Sequence, residues 1–527
     1  MNRREFLARG AAAGALLSAP AVRAQSARTL RFVPHADLAV VDPLFSNSII
    51  ARNHAYLVYD FLYGFDASGR PQPQMAAGHT ISDDNRTWTI KLREGLRFHD
   101  GAPVLARDVI ASLRRWAARD IYARSVFEDI DELKALDDST MQFKLKKPFR
   151  LLPDLFAKLS PYPPTIMPER LANTPATQPV TEIIGSGPYR YAAKERVPGS
   201  LNVYERFAEY RPAPGTEPSG LAGPKIAHFD RIEWRTIPDA GTAAAALQSG
   251  EIDWWEETTV DLMPLLRSRS DLRVEVINPA GYMALFRFNH IQPPFDNPAI
   301  RRAFLGAFKQ SDVLDAIVGN TPELRMDNVG FFHPDSPYAN RAGMEALAPR
   351  DISSVKASLA AAGYKGELIR LLVPLDLPGP LAESQVVADV LRRAGVNLDY
   401  VGLDWGATIA RLFSRNPIDK GGWSATCNFA IGPVTMDQSA NGYLRATGKT
   451  AIFGWPESPK LEALRTAWID SNDMNERKKL CEDFQRQCFM DVPYIPLGGY
   501  RLASVFRRDL VGIVKSPIPV FWNVRRG

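Results

Sequence analysis

The chain of 527 residues has few cysteines and no long apolar segment after its first 24 residues, which excludes several classes of protein. It holds three cysteines, and two of them, Cys481 and Cys488, lie seven residues apart in a stretch with a helical pattern. Seven residues of helix rise about 10 Å, which is too far for a disulfide. The seven histidines are scattered, so the spacing of a zinc site is absent and we expect no metal or other cofactor. No later run reaches the roughly 18 apolar residues of a membrane-spanning helix.

The motifs of common hydrolases and of nucleic-acid-binding proteins are also missing. No G-x-S-x-G nucleophile elbow and no H-E-x-x-H zinc motif occurs, and no concentrated basic tract is present. The sequence therefore predicts a protein that is not an enzyme and has no nucleic-acid partner. An exported hydrolase is the alternative, because a chain with 59 acidic residues always has spare carboxylate pairs.

The remaining composition is that of a globular protein with more than one domain. Apolar residues make up 45% and charged residues 23% of the chain, and its length exceeds what one hydrophobic core usually supports. Strand and helix patterns alternate: Trp88, Ile90 and Leu92 share one face of "TWTIKL", and Asn297 followed by Pro298 is a helix start. Asn47 is a plausible cap for a helix over 48–62. This alternation predicts the α/β class.

The N-terminus has the features of an export signal. Arg3 and Arg4 stand in "RREFL", a mildly apolar run follows over 10–22, and small residues end at Ala24. This order predicts a twin-arginine signal peptide over 1–24, cleaved after Ala24, that directs the folded protein through the twin-arginine translocase. The mature protein is then expected in the periplasm.

Six segments in order resemble one family. They are "VDPLFSNS", "TWTIKLREGLRFHDGAPVLARDVIASLRRW", "IIGSGPYRY", "ALQSGEIDWWE", "RFNHIQPPFDNPAIRRAFLGAF" and "VPYIPL". Together they resemble the periplasmic solute-binding proteins of peptide ABC importers, the dipeptide- and oligopeptide-binding type, from about Leu30 to the end of the chain. Each segment is weak evidence alone, but six in the family's order indicate membership.

The resemblance implies a two-lobed α/β periplasmic-binding-protein fold with a hinge and an extra inserted domain. Lobe I would consist of 25–52, 184–280 and 493–527, the inserted domain of 53–183, and lobe II of 281–492. The resemblance also implies that the protein encloses a small solute between the lobes and delivers it to a membrane permease with its ATPase. We expect it to be a monomer. A binding protein that feeds a membrane chemosensor would have the same sequence.

The stretch "GGWSATCNFAIGP" suggests what kind of solute is bound. Peptide binders of this family commonly hold the ligand's α-ammonium with an aspartate a few residues after the tryptophan, but the residues after Trp423 carry no charge up to Pro433. An unpaired buried ammonium costs several kcal/mol. Unless Asp404 or Asp437 reaches the pocket, the sequence predicts a neutral or anionic solute, such as an aromatic, sugar-like or blocked-peptide molecule.

The candidate ligand-binding residues follow from the same resemblance. Trp405, Tyr282 and Tyr500 would supply flat apolar faces, and Asn47 and Ser48 would line the side of lobe I. The alternative for both tryptophans is a place in the core, and for Asn47 and Ser48 it is helix capping. The predicted pocket wall consists of Gly422, Trp423, Ser424, Thr426, Cys427 and Asn428.

Overall fold

The computed structural model describes residues 28–46, 48–439, 441–471 and 473–527, and the chain divides into two compact units. Unit 1 contains the chain up to Ile277 together with Ala503–Gly527, and unit 2 is Asn278–Leu502. The predicted signal peptide, 1–24, lies outside the described residues. Within the described part, no helix is both long and apolar enough to cross a membrane.

Unit 1 is built on a mixed seven-stranded sheet with the strand order β12-β19-β11-β1-β10-β9-β8. The central strand β1 runs parallel to both neighbours, and the other pairs are antiparallel. The core side of β1 is aromatic, because Phe32 packs 5.2 Å from Trp254 and 4.9 Å from Phe521 between ring centroids. The strands are β1 (Thr29–Val33), β8 (Tyr189–Tyr191), β9 (Leu201–Arg206), β10 (Arg231–Arg235), β11 (Trp254–Thr258), β12 (Leu272–Glu275) and β19 (Ala503–Arg507).

A four-stranded antiparallel sheet, in the order β4-β5-β7-β6, also belongs to unit 1. Trp88, Ile90 and Leu92 are buried on one face of β5, which confirms the predicted strand. These strands are β4 (Ala76–Ile81), β5 (Thr87–Leu92), β6 (Ile130–Ala135) and β7 (Thr140–Leu145), and two small sheets pair β2 (Tyr63–Phe65) with β3 (Pro71–Pro73) and β20 (Leu510–Val511) with β21 (Arg525–Arg526).

The helices of unit 1 include one that is anchored by a buried ion pair. Arg115 lies on α2 and its Nη2 is 2.8 Å from Oδ2 of Asp42, and both side chains are almost completely buried. Asp42 also accepts hydrogen bonds from the backbone of Leu44 and Val180, so its charge is fully satisfied. The helices are α1 (Ile49–Val58), α2 (Ala106–Ala117), α3 (Ile121–Phe127), α4 (Leu152–Ala157), α5 (Glu169–Ala172), α6 (Ala240–Ser249) and α7 (Met263–Arg267).

Unit 2 contains one six-stranded sheet with the order β14-β18-β13-β17-β15-β16. β15 is parallel to β16 and β17, whereas β13 is antiparallel to β17 and β18. As a result, β15, β16, β17 and β18 all end at the edge of the sheet where β13 begins. The strands are β13 (Tyr282–Phe288), β14 (Arg325–Met326), β15 (Ile369–Pro374), β16 (Leu398–Leu403), β17 (Ala425–Ile431) and β18 (Tyr494–Tyr500).

One helix of unit 2 begins at the position that the sequence predicts. Asn297 caps α8 by accepting a hydrogen bond from the backbone of Ala299, with Pro298 as the first helical residue. Cys481 and Cys488 are free, buried thiols on α14, in agreement with a spacing too long for a disulfide. The helices are α8 (Pro298–Ala303), α9 (Gln310–Val318), α10 (Ile352–Ala361), α11 (Pro378–Arg393), α12 (Trp405–Leu412), α13 (Pro459–Asp470) and α14 (Met474–Asp491).

The position of β18 differs from the predicted lobe assignment, which places 493–502 in lobe I. In the structure β18 pairs with β13, with Tyr500 opposite Tyr282, so this strand completes the sheet of unit 2. The reason is that β13 is a central strand with no exposed residue and needs a hydrogen-bonded neighbour on each side. The boundaries of the inserted domain, 53–183, stay a prediction.

Candidate functional site

The carboxyl ends of β15, β16, β17 and β18 meet at one edge of the unit 2 sheet, and aromatic side chains collect there. In open α/β sheets, ligands bind at the carboxyl ends of strands, because helix N-termini and loops converge at that edge. Four rings form what we call the aromatic row: Trp405, Phe429, Tyr282 and Tyr500. This edge is the candidate functional site of unit 2.

The rings of the aromatic row follow one another at contact distance. Trp405 and Phe429 are stacked with centroids 6.5 Å apart, Phe429 meets Tyr282 edge-on at 5.2 Å, and Tyr282 lies 5.4 Å from Tyr500. Tyr282 and Tyr500 are 8% and 3% exposed, while Trp405 and Phe429 are half-buried. The row is therefore a largely apolar surface with some exposed ring area at its Trp405 end, which suits a flat or apolar ligand group.

Strand register and one glycine position these rings. Tyr282 is paired with Tyr500 on one side and with Ile431 on the other, and Trp405 is the first residue of α12, directly after β16. At the start of α11, a Cβ on Gly379 would lie 2.8 Å from the hydroxyl oxygen of Tyr500. Glycine at this position lets the Tyr500 ring lie directly against the helix.

The two acids that the sequence offers as partners for a cationic ligand are engaged in local turns. Asp404 caps α12, where its Oδ1 accepts the backbone N–H of Ala407 at 2.8 Å. Asp437 Oδ1 accepts hydrogen bonds from the backbone N–H and the hydroxyl of Ser439, at 2.7 and 2.5 Å. Neither β17 nor the five residues after it contains an acid. The structure thus places no carboxylate of these segments in the aromatic row.

Glu383 is the acid that sequence reasoning missed near this sheet face. It lies on α11 beside Cys427, is 1% exposed, and has no hydrogen-bond partner of ordinary geometry among the described residues. Burial raises the pKa of Glu383 well above the usual range, because it disfavours the charged carboxylate. A helical pattern alone gives no signal that this residue turns inward.

The structure places Trp423 at the amino end of β17, away from the aromatic row. Six residues separate it from Phe429, or about 20 Å along a strand. Its side chain is 0% exposed and packs with Leu372, Leu412, Phe453 and Trp455 in a hydrophobic cluster. The indole N–H donates to the carbonyl oxygen of Leu412 at 3.1 Å, so its one polar group is satisfied internally. This placement corrects the predicted position of Trp423 in a pocket wall and matches the core alternative.

The other members of the predicted pocket wall also have structural partners. Ser424 Oγ accepts the backbone N–H of Arg370 at 3.0 Å, and the Thr426 hydroxyl donates to the carbonyl of Leu372 at 3.1 Å. Asn428 Oδ1 accepts the backbone N–H of Phe429 at 2.8 Å. The two hydroxyl groups and the Asn428 Oδ1 are therefore engaged within the sheet, whereas the buried Asn428 Nδ2 has no hydrogen-bond partner among the described residues. The contact of these groups with a solute stays a prediction.

Cys427 and Gly422 are equally enclosed. Cys427 is fully buried beneath α11, and burial raises the pKa of its thiol well above the usual value. A Cβ on Gly422 would lie 1.9 Å from the carbonyl oxygen of Asn416, so glycine is required there for a close backbone approach.

Phe429 is the member of the aromatic row that the sequence analysis missed. The signal was the period of two along β17, which puts residue 429 on the same face as Cys427, at the carboxyl end of the strand. The rule that ligands bind at carboxyl ends of strands points to Phe429 rather than Trp423 once the strand bounds are known.

On the side of unit 1, Ser48 caps α1, as the alternative interpretation proposes. Its Oγ accepts the backbone N–H of Ala51 at 3.4 Å and the hydroxyl hydrogen of Ser46 at 2.9 Å. Asn47, the other candidate cap, lies outside the described residues. Among the residues that the structure describes, no three His, Cys, Asp or Glu side chains are grouped to hold a metal ion.

Comparison with known proteins places the chain in a family. Residues 70–444 match the profile of the bacterial extracellular solute-binding proteins, family 5. A probable peptide ABC transporter periplasmic-binding protein y4tO of Sinorhizobium fredii is 35% identical, over 100% of this chain and 99% of that protein. The glutathione-binding protein GsiB of Pectobacterium atrosepticum is 27% identical over 91% of this chain and 90% of its own length.

Solved structures share the fold at lower identity. The periplasmic binding protein AgaA of A. tumefaciens R10, in complex with agropinic acid, matches 95% of this chain and 99% of its own, with a TM-score of 0.78 and 19% identity. DppA of Helicobacter pylori, in complex with the peptide STSA, matches 94% of this chain and 98% of its own, with a TM-score of 0.78 and 20% identity. The predicted α/β periplasmic-binding-protein fold is confirmed.

The family profile covers more than half of the chain, and a relative above 30% identity spans all of it. The predicted resemblance is therefore confirmed. The chain belongs to the bacterial extracellular solute-binding protein family 5, and it is the solute-binding component of a peptide-type ABC transporter.

Proposed function

We propose that this protein captures a small, non-cationic organic solute, with the aromatic row of unit 2 as a contact surface for the solute's flat or apolar part. The observation that carries the proposal is the combination of four contiguous rings with a sheet edge at which Asp404 caps α12 and Asp376 accepts the backbone N–H of Trp405 at 2.8 Å, so that each of these two acids has a partner within the protein. Solute capture itself is the function of the family. The class of solute and the contact residues are the proposal.

The electrostatics support a neutral or anionic solute. A buried ammonium needs a carboxylate at hydrogen-bond distance, because leaving it unpaired costs several kcal/mol. Asp404 and Asp437 accept hydrogen bonds within their own turns, and Asp376 accepts the backbone N–H of Trp405. Burial raises the pKa of Glu383 and so disfavours its charged form. A solute with a carbonyl, hydroxyl or carboxylate group at this edge incurs no such cost.

The ligands of similar proteins are consistent with small organic solutes. AgaA was solved with agropinic acid, H. pylori DppA with a peptide, and GsiB is a glutathione-binding protein. Since the identities to the solved structures are near 20%, we choose among these ligand classes from the residues of this chain. The missing carboxylate favours acids and blocked peptides over peptides with a free amino end.

The proposal includes the route of export and the partners. We expect a periplasmic monomer that reaches its compartment through the twin-arginine translocase and delivers solute to the permease and ATPase of its importer. Replacing Arg3 and Arg4 with lysine should abolish export, since the translocase reads the arginine pair. Fractionation by immunoblot checks this, and an unchanged periplasmic yield would contradict the route without touching the solute proposal.

A thermal-shift screen of residues 25–527 tests the class of solute. The panel contains alanyl-alanine, N-acetyl-alanyl-alanine, its C-terminal amide, a hexose, benzoate and an opine, since a ligand that binds only the folded state raises the melting temperature. We expect a member without a free ammonium group to raise it. If alanyl-alanine alone does so, the reading of the missing carboxylate is refuted.

Matched variants locate the contact surface. With the solute identified by the screen, Trp405→Ala should weaken binding at least tenfold, because it removes a half-buried ring at the end of the row. Phe413→Ala is the control, since Phe413 is an exposed aromatic residue just beyond the opposite end of α12. Equal affinity of the wild type and Trp405→Ala in calorimetric titration would remove the aromatic row from the site.

A further inference from the structure

A polar cluster occupies the carboxyl end of β1 in unit 1. β1 is the central strand and runs parallel to β10 and β11, so its end lies at the sheet edge where the ends of both neighbours also lie. His35 follows β1 by two residues, Glu256 lies within β11, and Asn53 lies on α1. We call these three residues the imidazole cluster.

The imidazole cluster holds the His35 ring in one orientation. Oε2 of Glu256 accepts both the backbone N–H of His35 and its Nδ1–H, each at 2.8 Å. Oε1 of Glu256 accepts the Nδ2 of Asn53 at 3.2 Å. A carboxylate against Nδ1 requires the proton on that nitrogen, so the tautomer is fixed and the Nε2 position points away from Glu256.

Nε2 of His35 forms no hydrogen bond within the described part of the chain, and the side chain is 17% exposed. In a histidine with a purely structural role, the second ring nitrogen is either buried without a partner or hydrogen-bonded to another group of the protein. His54, on α1, is such a case: it is completely buried, its Nδ1 is 2.9 Å from the Tyr204 hydroxyl, and burial lowers its pKa to about 3. His35 instead leaves part of its side chain exposed, on a ring whose Nδ1 is held by Glu256.

The charges around His35 favour the imidazolium form. Burial lowers the pKa of His35, but the carboxylates of Glu256 and Glu257 outweigh that effect and the opposing effect of the Arg52 guanidinium, so the pKa is raised. His35 therefore keeps a proton on Nε2 to a higher pH than an ordinary histidine does, and in this protonated form the site presents a charged donor.

We propose that the Nε2–H of His35 is an anion-binding position of unit 1 that takes the carboxylate of a small organic acid. Glu256 orients the ring, and the second proton on Nε2 provides a charge-assisted hydrogen bond, which is shorter and stronger than a neutral one. The proposal rests on the function proposed above, in which the solute is not cationic, and narrows that class to acids.

The first test observes His35 itself. Protein labelled with 15N-histidine is titrated at pH 6 with sodium acetate and, in parallel, with acetamide as the uncharged probe of similar shape. The His35 signals are assigned by their loss in His35→Gln, and sodium chloride at equal ionic strength controls for screening. We expect acetate to shift the Nε2 resonance of His35 and acetamide to leave it in place. An Nε2 resonance that acetate does not move overturns the proposal.

The second test uses binding. N-acetyl-alanyl-alanine and its C-terminal amide are compared by calorimetric titration at pH 6 and pH 8. The proteins are wild type, His35→Gln and the control His228→Gln. His228 is an exposed histidine of unit 1 near the amino end of β10. We expect the acid to bind wild type and His228→Gln about tenfold more tightly than the amide at pH 6, with the preference falling toward pH 8. His35→Gln should lose both the preference and its pH dependence.

Outcomes of the two tests separate this proposal from the function proposed above. If a neutral member of the screening panel binds and His35→Gln binds it equally well, while acetate leaves His35 unmoved, the solute class stands and the anion position is refuted. If only alanyl-alanine binds, the non-cationic class is refuted. A pH dependence that persists in His35→Gln assigns the effect to another group and also overturns the role of His35.

Discussion

Replacing Trp423 with alanine should destabilise unit 2 without acting directly on solute binding. The side chain is completely buried among Leu372, Leu412, Phe453 and Trp455, so its removal leaves a cavity. Tryptophan-to-alanine changes in cores cost about 3 to 5 kcal/mol in the free energy of unfolding. The lost hydrogen bond to the Leu412 carbonyl places this substitution in the upper half of that range.

The assay is urea unfolding of residues 25–527, followed by circular dichroism. With a urea dependence of about 3 kcal/mol per molar, a loss of about 4 kcal/mol lowers the midpoint of unit 2 by about 1.3 M. Trp423→Phe keeps most of the apolar contact and loses the indole donor, so about 1 to 2 kcal/mol is expected. Trp405→Ala is the matched control, because Trp405 is half-buried in the aromatic row and should change affinity far more than stability.

Two results would refute this reasoning. The first is a midpoint of Trp423→Ala within 0.3 M of the wild type, or about 1 kcal/mol at this slope, since no well-packed core residue of this size is removed so cheaply. The second is a selective loss of solute affinity in a variant of unchanged stability. That result would return Trp423 to the pocket wall that the sequence predicts.

Three further substitutions test other parts of the structure. Because the folded-state pKa of Glu383 is raised, the folded form binds a proton that the unfolded form releases above about pH 4.3. Relative to Glu383→Gln, wild type should therefore lose about 1.4 kcal/mol of stability per pH unit until the folded pKa is passed. Urea midpoints measured from pH 5 to 8 check this. Gly379→Ala adds a methyl group 2.8 Å from the Tyr500 hydroxyl, so the ring must move, and solute affinity should fall several-fold in calorimetric titration. Asp42→Ala leaves Arg115 buried without its partner and should cost about 3 to 5 kcal/mol in chemical denaturation, whereas a loss below 1 kcal/mol would show that the pair is not desolvated.

The sequence was sufficient for the fold class and for many local elements. The caps and first turns at Asn297 and Pro298 were readable because side-chain capping depends on residues a few positions apart. The period of two in "TWTIKL" predicted a strand with Trp88 buried, because alternation directly reports which face is inside. Family resemblance supplied the periplasmic-binding-protein fold, which local patterns do not contain.

The candidate site was harder to predict because it depends on strand bounds and long-range pairing. Trp423 and Phe429 lie in one uncharged stretch, and only the start of β17 at Ala425 reveals that the tryptophan is at the amino end and the phenylalanine toward the carboxyl end. The pairing of Tyr282 with Tyr500 joins residues more than two hundred positions apart. Likewise, His35 and Glu256 meet only because β1 and β11 are neighbours in the sheet, which no local pattern reports.

The place of β19 in unit 1 has a consequence for the order in which the protein can be made. β19 lies between β11 and β12, and its partners Trp255 and Val274 both pair with Val505. During synthesis, all of unit 2 is translated after β12 and before β19, so unit 2 can complete its sheet first. Until β19 is made, β11 and β12 of unit 1 lack their shared partner and have unpaired edges. A chain that ends just before Ala503 therefore has a complete second unit and a first unit in which β12 is not joined to the sheet, a species that proteases and chaperones can recognise by its unpaired strands.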